Sequence, residues 1–171
     1  AKDKGSVAAP TAGLHFTKEL MEKLRNKGVK IAKVCLHVGF GTFLPVRDIE
    51  NHQMHSEHFK IDKKNAKIIN EREGRLFCVG TTSMRAIETA ADDNCNVQSI
   101  ETDTDLFKKP GCEFNMDTCG LITNFHLPKS TLLMLVSAYG GKERIFRAYN
   151  AAIDNDYRFY SFGDSMLIFR K

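Results

Sequence analysis

The chain has 171 residues, 42% of them hydrophobic and 27% charged, with a formal net charge of +4. That is one domain's worth of chain with enough apolar material for a real core. No apolar run approaches the roughly 20 residues that span a bilayer, and the dispersed positive charge permits nucleic acid as a partner without demanding it.

Ala1–Lys4 carries no initiator Met, no signal peptide is readable, and Gly5–Pro10 reads like the middle of a domain. The chain is therefore expected to be a fragment whose upstream partner is missing. Cys35, Cys78, Cys95, Cys112 and Cys119 are scattered and form no CxxC pair. They indicate neither a disulfide framework nor a cysteine zinc site, and they fit a reducing cytoplasm.

The opening loop, Gly5 to Phe16, is rich in small residues and holds Thr11, Gly13 and His15. Thr17 caps a predicted helix over 17–27, with Leu20, Met21 and Leu24 on its apolar side and Gly28 ending it. From Val29 the period changes to two, predicting an interior strand over 29–38. It runs into His37-Val38-Gly39-Phe40-Gly41-Thr42-Phe43. A third glycine and a following helix are missing, so the dinucleotide-binding fingerprint is not supported.

His52, His55 and His58 follow at spacing three, with Glu57 among them. The HExxH order of a helical zinc site is absent. Alternation predicts a strand over 55–61 that puts His55, Glu57 and Phe59 on one face. Asp62 caps a helix over 62–73 that buries Ala66 and Ile69, and Gly74 stops it. A buried strand over 75–79 enters Gly80-Thr81-Thr82-Ser83-Met84-Arg85, predicted to open a helix over 83–91. Here free helix N–H groups, three hydroxyls and Arg85 meet at a strand's carboxyl end, where sheets of this kind bind ligands. The alternative is a hydroxyl cap with Arg85 paired to Glu88.

Asp92 to Asp105 is polar, with a weak strand signal at Val97 and Ile100. A strand over 120–124 leads into Thr123-Asn124-Phe125-His126-Leu127-Pro128-Lys129-Ser130-Thr131. Pro128 in the first turn and a Ser130 cap start a core helix over 129–139. This second junction gathers Asn124, His126, Lys129 and free helix N–H groups. A helix over 142–154 and a strand over 165–170 complete an α/β (mixed α+β) pattern.

Loops 10–16, 37–43, 52–58, 80–85 and 123–131 are dense in Gly, Thr, Ser and His, and most flank a buried strand. Physical chemistry alone takes them to a small-polar-molecule or nucleotide enzyme that uses histidine and carboxylate acid–base chemistry without a metal.

The segments Gly5–Phe16, His37–Phe43, Met54–Glu57, Val79–Arg85 and Thr123–Ala138, in that order, resemble the S-adenosylmethionine:tRNA ribosyltransferase-isomerase family of queuosine biosynthesis. The resemblance covers the whole chain and about the C-terminal half of a family member. It implies that residues 1–171 are the C-terminal part of a catalytic α/β domain, built on a barrel-like, largely antiparallel sheet surrounded by helices. The rest of that domain and an inserted β-barrel domain would lie in the missing half.

The implied reaction uses S-adenosylmethionine as ribosyl donor, with no prosthetic group and no metal. The implied acceptor is 7-aminomethyl-7-deazaguanine at the wobble position of tRNAs with GUN anticodons (Asp, Asn, His, Tyr). The product is epoxyqueuosine, with adenine and methionine released by a monomeric cytoplasmic enzyme. On this reading His55 with Glu57, or His126, transfers protons. Arg85 with Thr81, Thr82 and Ser83 holds the methionine carboxylate or ribose hydroxyls. Thr11, Gly13, His15, His37, Gly39, Gly41, Thr42, Gly80, Asn124, Lys129 and Ser130 contribute to substrate binding. Two rival readings are a non-catalytic RNA-binding module of the same fold and a metal hydrolase using His52, His55 and His58.

Overall fold

The computed structural model describes residues 5–39 and 54–170. The opening segment forms a short 3-10 turn, Thr11–His15, before helix α1, Lys18–Asn26. Thr17 caps α1 as its sequence predicts, its Oγ1 accepting from Leu20 N at 3.2 Å. Strand β1, Cys35–Leu36, is followed by β2, Glu57–Ile61, and helix α2, Lys63–Asn70. Asp62 caps α2 through Asn65 N at 2.8 Å. Strand β3, Phe77–Val79, leads into helix α3, Thr81–Ala90, and then strand β4, Ile100–Thr104. The C-terminal part runs β5, Gly120–Asn124, α4, Thr131–Gly140, α5, Lys142–Asp154, and β6, Ser165–Phe169.

These strands make two three-stranded sheets, ordered β1-β2-β4 and β3-β5-β6. The first is antiparallel throughout, with Cys35 opposite Lys60 and Glu57 opposite Thr104. In the second, β3 and β5 run parallel while β5 and β6 are antiparallel. The mixed α/β class is as expected, and the largely antiparallel pairing also holds. The barrel is not found: among the described residues the strands form two open sheets instead of one curved sheet.

Helix α3 joins the halves, touching β1, β2 and β4 of one sheet, β3 and β5 of the other, and α4. Its central position explains why Thr81, Met84, Arg85, Ala86, Ile87, Glu88 and Ala90 are all buried. A helix surrounded on every side needs apolar or internally paired residues all round. The core around it combines Phe59, Ile61, Ile69, Met116, Leu121, Val136, Tyr139 and Ile168.

Two strand expectations change. Only Cys35–Leu36 of the 29–38 stretch pairs in a sheet. Residues 29–34 lack regular structure, and Val29 is exposed. Their side chains help wall an open apolar groove of about 920 Å³ with α1, α2 and β3. Strand β4 is longer than the weak Val97/Ile100 signal suggested. It is an edge strand that exposes Ile100, Glu101 and Asp103 and buries Thr104, so it offers little hydrophobic alternation to read.

Candidate functional site

The parallel strands β3 and β5 end side by side, and each delivers its chain to the N-terminus of a buried helix. After β3, Gly80 donates its N–H to Ile122 O at 2.8 Å and serves as the N-cap of α3, with no side-chain cap bond. Gly80 stands at φ 90° and ψ 143°, a conformation that side chains other than glycine's strongly resist. The amides of the first α3 turn are thus left to whatever approaches them.

After β5, the chain passes through Thr123, Asn124 and His126 to Ser130, which caps α4. Its Oγ accepts from Leu133 N at 3.1 Å and donates to Leu127 O at 2.7 Å. The helix starts at Thr131, so Pro128 lies in the preceding turn instead of the first helical turn. Lys129 is exposed there at φ 56°.

Between these junctions lies a cavity of about 140 Å³. Its walls include Pro10, Thr11, Ala12 and Gly13 from the opening turn, and Val79, Gly80, Thr81 and Thr82 from the first junction. Thr123, Asn124, Phe125, His126, Leu127, Ser130 and Leu132 come from the second junction, and Tyr160 and Ser161 close one side. No Asp, Glu, Lys or Arg is among the described residues that line it. The larger apolar groove has fewer groups able to do chemistry, so the smaller cavity is the candidate site.

His126 is partly buried, with Nε2 3.0 Å from Thr123 Oγ1 and its backbone N–H donated to Tyr149 Oη at 2.7 Å. Burial pushes the imidazole down to about 4, so it is neutral at neutral pH. Desolvation also raises the Tyr149 phenol to about 12, keeping it protonated. Asn124 is 4% exposed. Its Nδ2 donates to Tyr160 O at 3.1 Å and Gly163 O at 3.2 Å, while Oδ1 has no partner.

Of the residues expected from sequence, Thr11, Gly13, Gly80, Thr81, Thr82, Asn124, His126 and Ser130 meet at this cavity. Gly41 and Thr42 lie outside the described residues, as does His52. His15 and Lys129 are exposed nearby in sequence but do not line the cavity. Ser83 Oγ donates to Val79 O at 2.9 Å, and the residue lines the apolar groove. His37 gives its backbone N–H to His58 O at 2.8 Å and stacks its ring on that of His58.

Glu57 and Arg85 are placed apart from the cavity. They form a buried ion pair between Arg85 Nη1 and Glu57 Oε2. Gly39 N donates to Glu57 Oε1 at 2.9 Å, and Arg85 Nε donates to Leu106 O at 3.2 Å. The pairing of Arg85 with Glu88 considered from sequence does not form. Glu88 instead accepts from Asn115 N and Met116 N, each at 2.9 Å, and faces Lys108 at 3.4 Å.

His55 is exposed, whereas Glu57 and Phe59 point inward, so the three do not share one buried face. His58 lies on the outer face against Asp103 at 2.9 Å and Glu101 at 3.4 Å. Among the described residues, no group of three or more His, Cys, Asp or Glu is arranged to hold a metal ion.

Tyr160 and Ser161 were not marked as site residues by sequence. Their aromatic-rich segment reads as core, and only a fold that brings it beside β5 makes them part of a wall.

These features define an α/β domain with a small uncharged cavity at the carboxyl ends of two parallel strands. The chain belongs to the queuosine biosynthesis protein family, whose model matches residues 1–168. It is 55% identical to the S-adenosylmethionine:tRNA ribosyltransferase-isomerase of Caldanaerobacter subterraneus subsp. tengcongensis, covering 98% of this chain and 50% of that protein. The same-named protein of Geotalea uraniireducens is 53% identical, over 99% of this chain and 50% of its own length.

The crystal structure of the S-adenosylmethionine tRNA ribosyltransferase from Thermotoga maritima superposes with a TM-score of 0.73 at 44% identity. That match covers 92% of this chain and 51% of the solved one. The chain thus spans about half the length of the relatives it matches. No helix among the described residues is long and apolar enough to cross a membrane.

Proposed function

We propose that this chain supplies the donor-binding part of a tRNA-modifying ribosyltransferase-isomerase, as the C-terminal part of that enzyme's catalytic domain. The donor is S-adenosylmethionine. The acceptor is 7-aminomethyl-7-deazaguanine at the wobble position of tRNAs with GUN anticodons. The product is epoxyqueuosine, formed with release of adenine and methionine. The enzyme acts as a cytoplasmic monomer, with S-adenosylmethionine as substrate and no prosthetic group.

The observation that carries this reading is the convergence of Thr81, Thr82, Asn124 and His126, from two strand-to-helix junctions, on one uncharged cavity. The positive sulfonium of the donor makes the adjoining ribose carbon acidic, and a base must remove its proton. His126, neutral at working pH, is assigned to proton transfer with Thr123 orienting its ring. Such a step contributes about 10²–10⁴-fold.

The Glu57–Arg85 pair is assigned a positioning role, holding the backbone at Gly39 and the start of α3 in place. Lys129, exposed at the α4 end of the site, is assigned to the acceptor's phosphates.

The test is incubation of a chain of the family's full length with S-adenosylmethionine and precursor-bearing tRNA. Free adenine and modified tRNA are read by mass spectrometry. His126→Asn is expected to slow adenine release by about two orders of magnitude while donor binding persists. A protein that binds tRNA but never releases adenine would instead be a binding module. Activity tracking stoichiometric zinc would favour a hydrolase built on the histidines.

A further inference from the structure

The turn formed by residues 160–163 is held from several sides. Gly163 N donates to Tyr160 O at 3.0 Å, and Tyr160 N donates to Phe125 O at 3.0 Å. Asn124 Nδ2 donates to the carbonyls of both Tyr160 and Gly163. Asp164 closes the base of the turn. Its N–H goes to Arg158 O at 2.7 Å, and its Oδ2 accepts from Arg158 N at 2.8 Å. A Cβ on Gly163 would sit 2.3 Å from Arg158 O, so only glycine fits there. Phe159, just before the turn, packs its ring on that of Phe125 with centroids 4.7 Å apart. Tyr160 stands at φ 69°, a conformation that a non-glycine residue keeps only where its surroundings fix it.

This fixed turn leaves a large apolar residue in solvent. Phe162 is 87% exposed, more than any other large hydrophobic residue among those described. A single exposed apolar side chain is ordinary by itself. Its place in the fold sets this one apart. Tyr160 and Ser161 line the cavity, and Phe162 follows one residue further on, about 3.8 Å along the backbone. Leu127 and Tyr160, both in the cavity wall, are themselves exposed at 45% and 48%. Lys129, two residues after Leu127, adds an exposed cation at the α4 end of the site.

The backbone beneath Phe162 is already ordered, so a flat partner laid on its ring costs little further ordering. Under the proposed reaction the modified base belongs to a folded RNA. Its strand must pass the cavity mouth, which brings the nucleotides on either side of that base to the rim. Bases in RNA loops are unstacked, and proteins hold them by stacking aromatic side chains on them.

Resting on that reading, we infer that Phe162 is a stacking platform for the base of a nucleotide adjoining the modified one in the acceptor RNA. Every base presents a π face, so the ring positions the strand at the cavity without reading its sequence.

The test uses protein of the family's full length and RNA hairpins with the target base in the loop. The hairpins are intact or lack the base on the 5′ or the 3′ side of the target. Phe162→Ala is expected to bind the intact hairpin about five- to a hundred-fold more weakly. Its thermal melt and its affinity for S-adenosylmethionine should be unchanged. Removing the stacked base should weaken binding to the parent by a similar factor and make no difference to Phe162→Ala. Equal affinity of parent and variant for the intact hairpin, no binding by the parent, or the same loss in the variant whichever base is absent overturns the inference.

This chain has no tryptophan, so Phe162→Trp adds a fluorophore at the turn, read as the difference from the parent. Its emission should be open to acrylamide quenching before RNA is added and shielded afterwards. Emission closed to acrylamide without RNA would mean that another part of the protein covers Phe162. Emission still open with RNA bound would place the strand elsewhere. Either result overturns the inference. Failure of the reaction itself shows separately, as absent adenine release with S-adenosylmethionine and precursor-bearing tRNA in the same preparation.

Discussion

Arg85 of α3 and Glu57 of β2 lie 28 positions apart in the chain and form an ion pair at 1% side-chain exposure on each side. Through Gly39 N and Leu106 O the same two side chains tie down two loops. Removing either partner takes the buried counter-charge from the other, at a cost of about 3–5 kcal/mol. Arg85→Ala and Glu57→Ala should each lower the urea-unfolding free energy by that order. The double variant should cost clearly less than their sum, because neither charge of the pair then remains. Strict additivity would mean that the two side chains act independently.

Gly80→Ala tests the first junction. The backbone there adopts a conformation reserved for glycine, and a Cβ would lie 3.2 Å from Thr82 Oγ1 and 3.7 Å from Ala12 Cβ. Strain of about 1–3 kcal/mol is expected, together with weakened donor binding, since the new methyl enters the cavity wall. A variant with unchanged melting temperature and unchanged donor affinity would show that the junction is not under conformational constraint.

Ser130 is both the cap of α4 and a donor to Leu127 O. Ser130→Ala should cost about 0.5–2 kcal/mol, while Ser130→Asp keeps the cap acceptor and should lose less. Denaturant midpoints of the two variants decide it: the Asp variant falling below the Ala variant would contradict a capping role.

The acid limb of the stability profile should depend on His126. Its pKa falls from an ordinary 6.5 to about 4 on folding, so the unfolded chain takes up a proton that the folded chain refuses. This contribution is complete above pH 6.5 and drains away as pH falls through about 4, amounting to at most about 3 kcal/mol. His58 is raised chiefly by its hydrogen bond to Asp103 and works in the opposite sense. Its stabilisation is present at low pH and lost as pH rises through the raised pKa. Unfolding free energies of His126→Asn should fall less steeply below pH 6.5 than those of the parent. Parallel curves would assign the acid limb to other groups.

The legible parts of this fold are those that neighbouring residues decide. Thr17, Asp62 and Ser130 cap their helices as expected, because a cap involves a side chain and an amide three residues on. Residues 120–124 form the predicted strand in full, since its apolar run is bounded on both sides. Strand β4 and the non-strand 29–34 were not legible. A mainly polar edge strand and a half-covered apolar stretch are distinguished only by what lies beside them.

The site divides along the same line. By itself the sequence determined that two strand-to-helix junctions, at Gly80–Ser83 and Asn124–Ser130, carry hydroxyls, an amide and an imidazole at helix starts. Local backbone rules are enough for that. Only the tertiary structure decided that the two junctions face one cavity with Thr11 and Tyr160. It also decided that Glu57 and Arg85 neutralise each other outside the cavity and that Asn124 spends its amide nitrogen on the carbonyls of Tyr160 and Gly163. These are long-range pairings between residues far apart in the chain, and periodicity within one segment carries no information about which distant partner a side chain will meet.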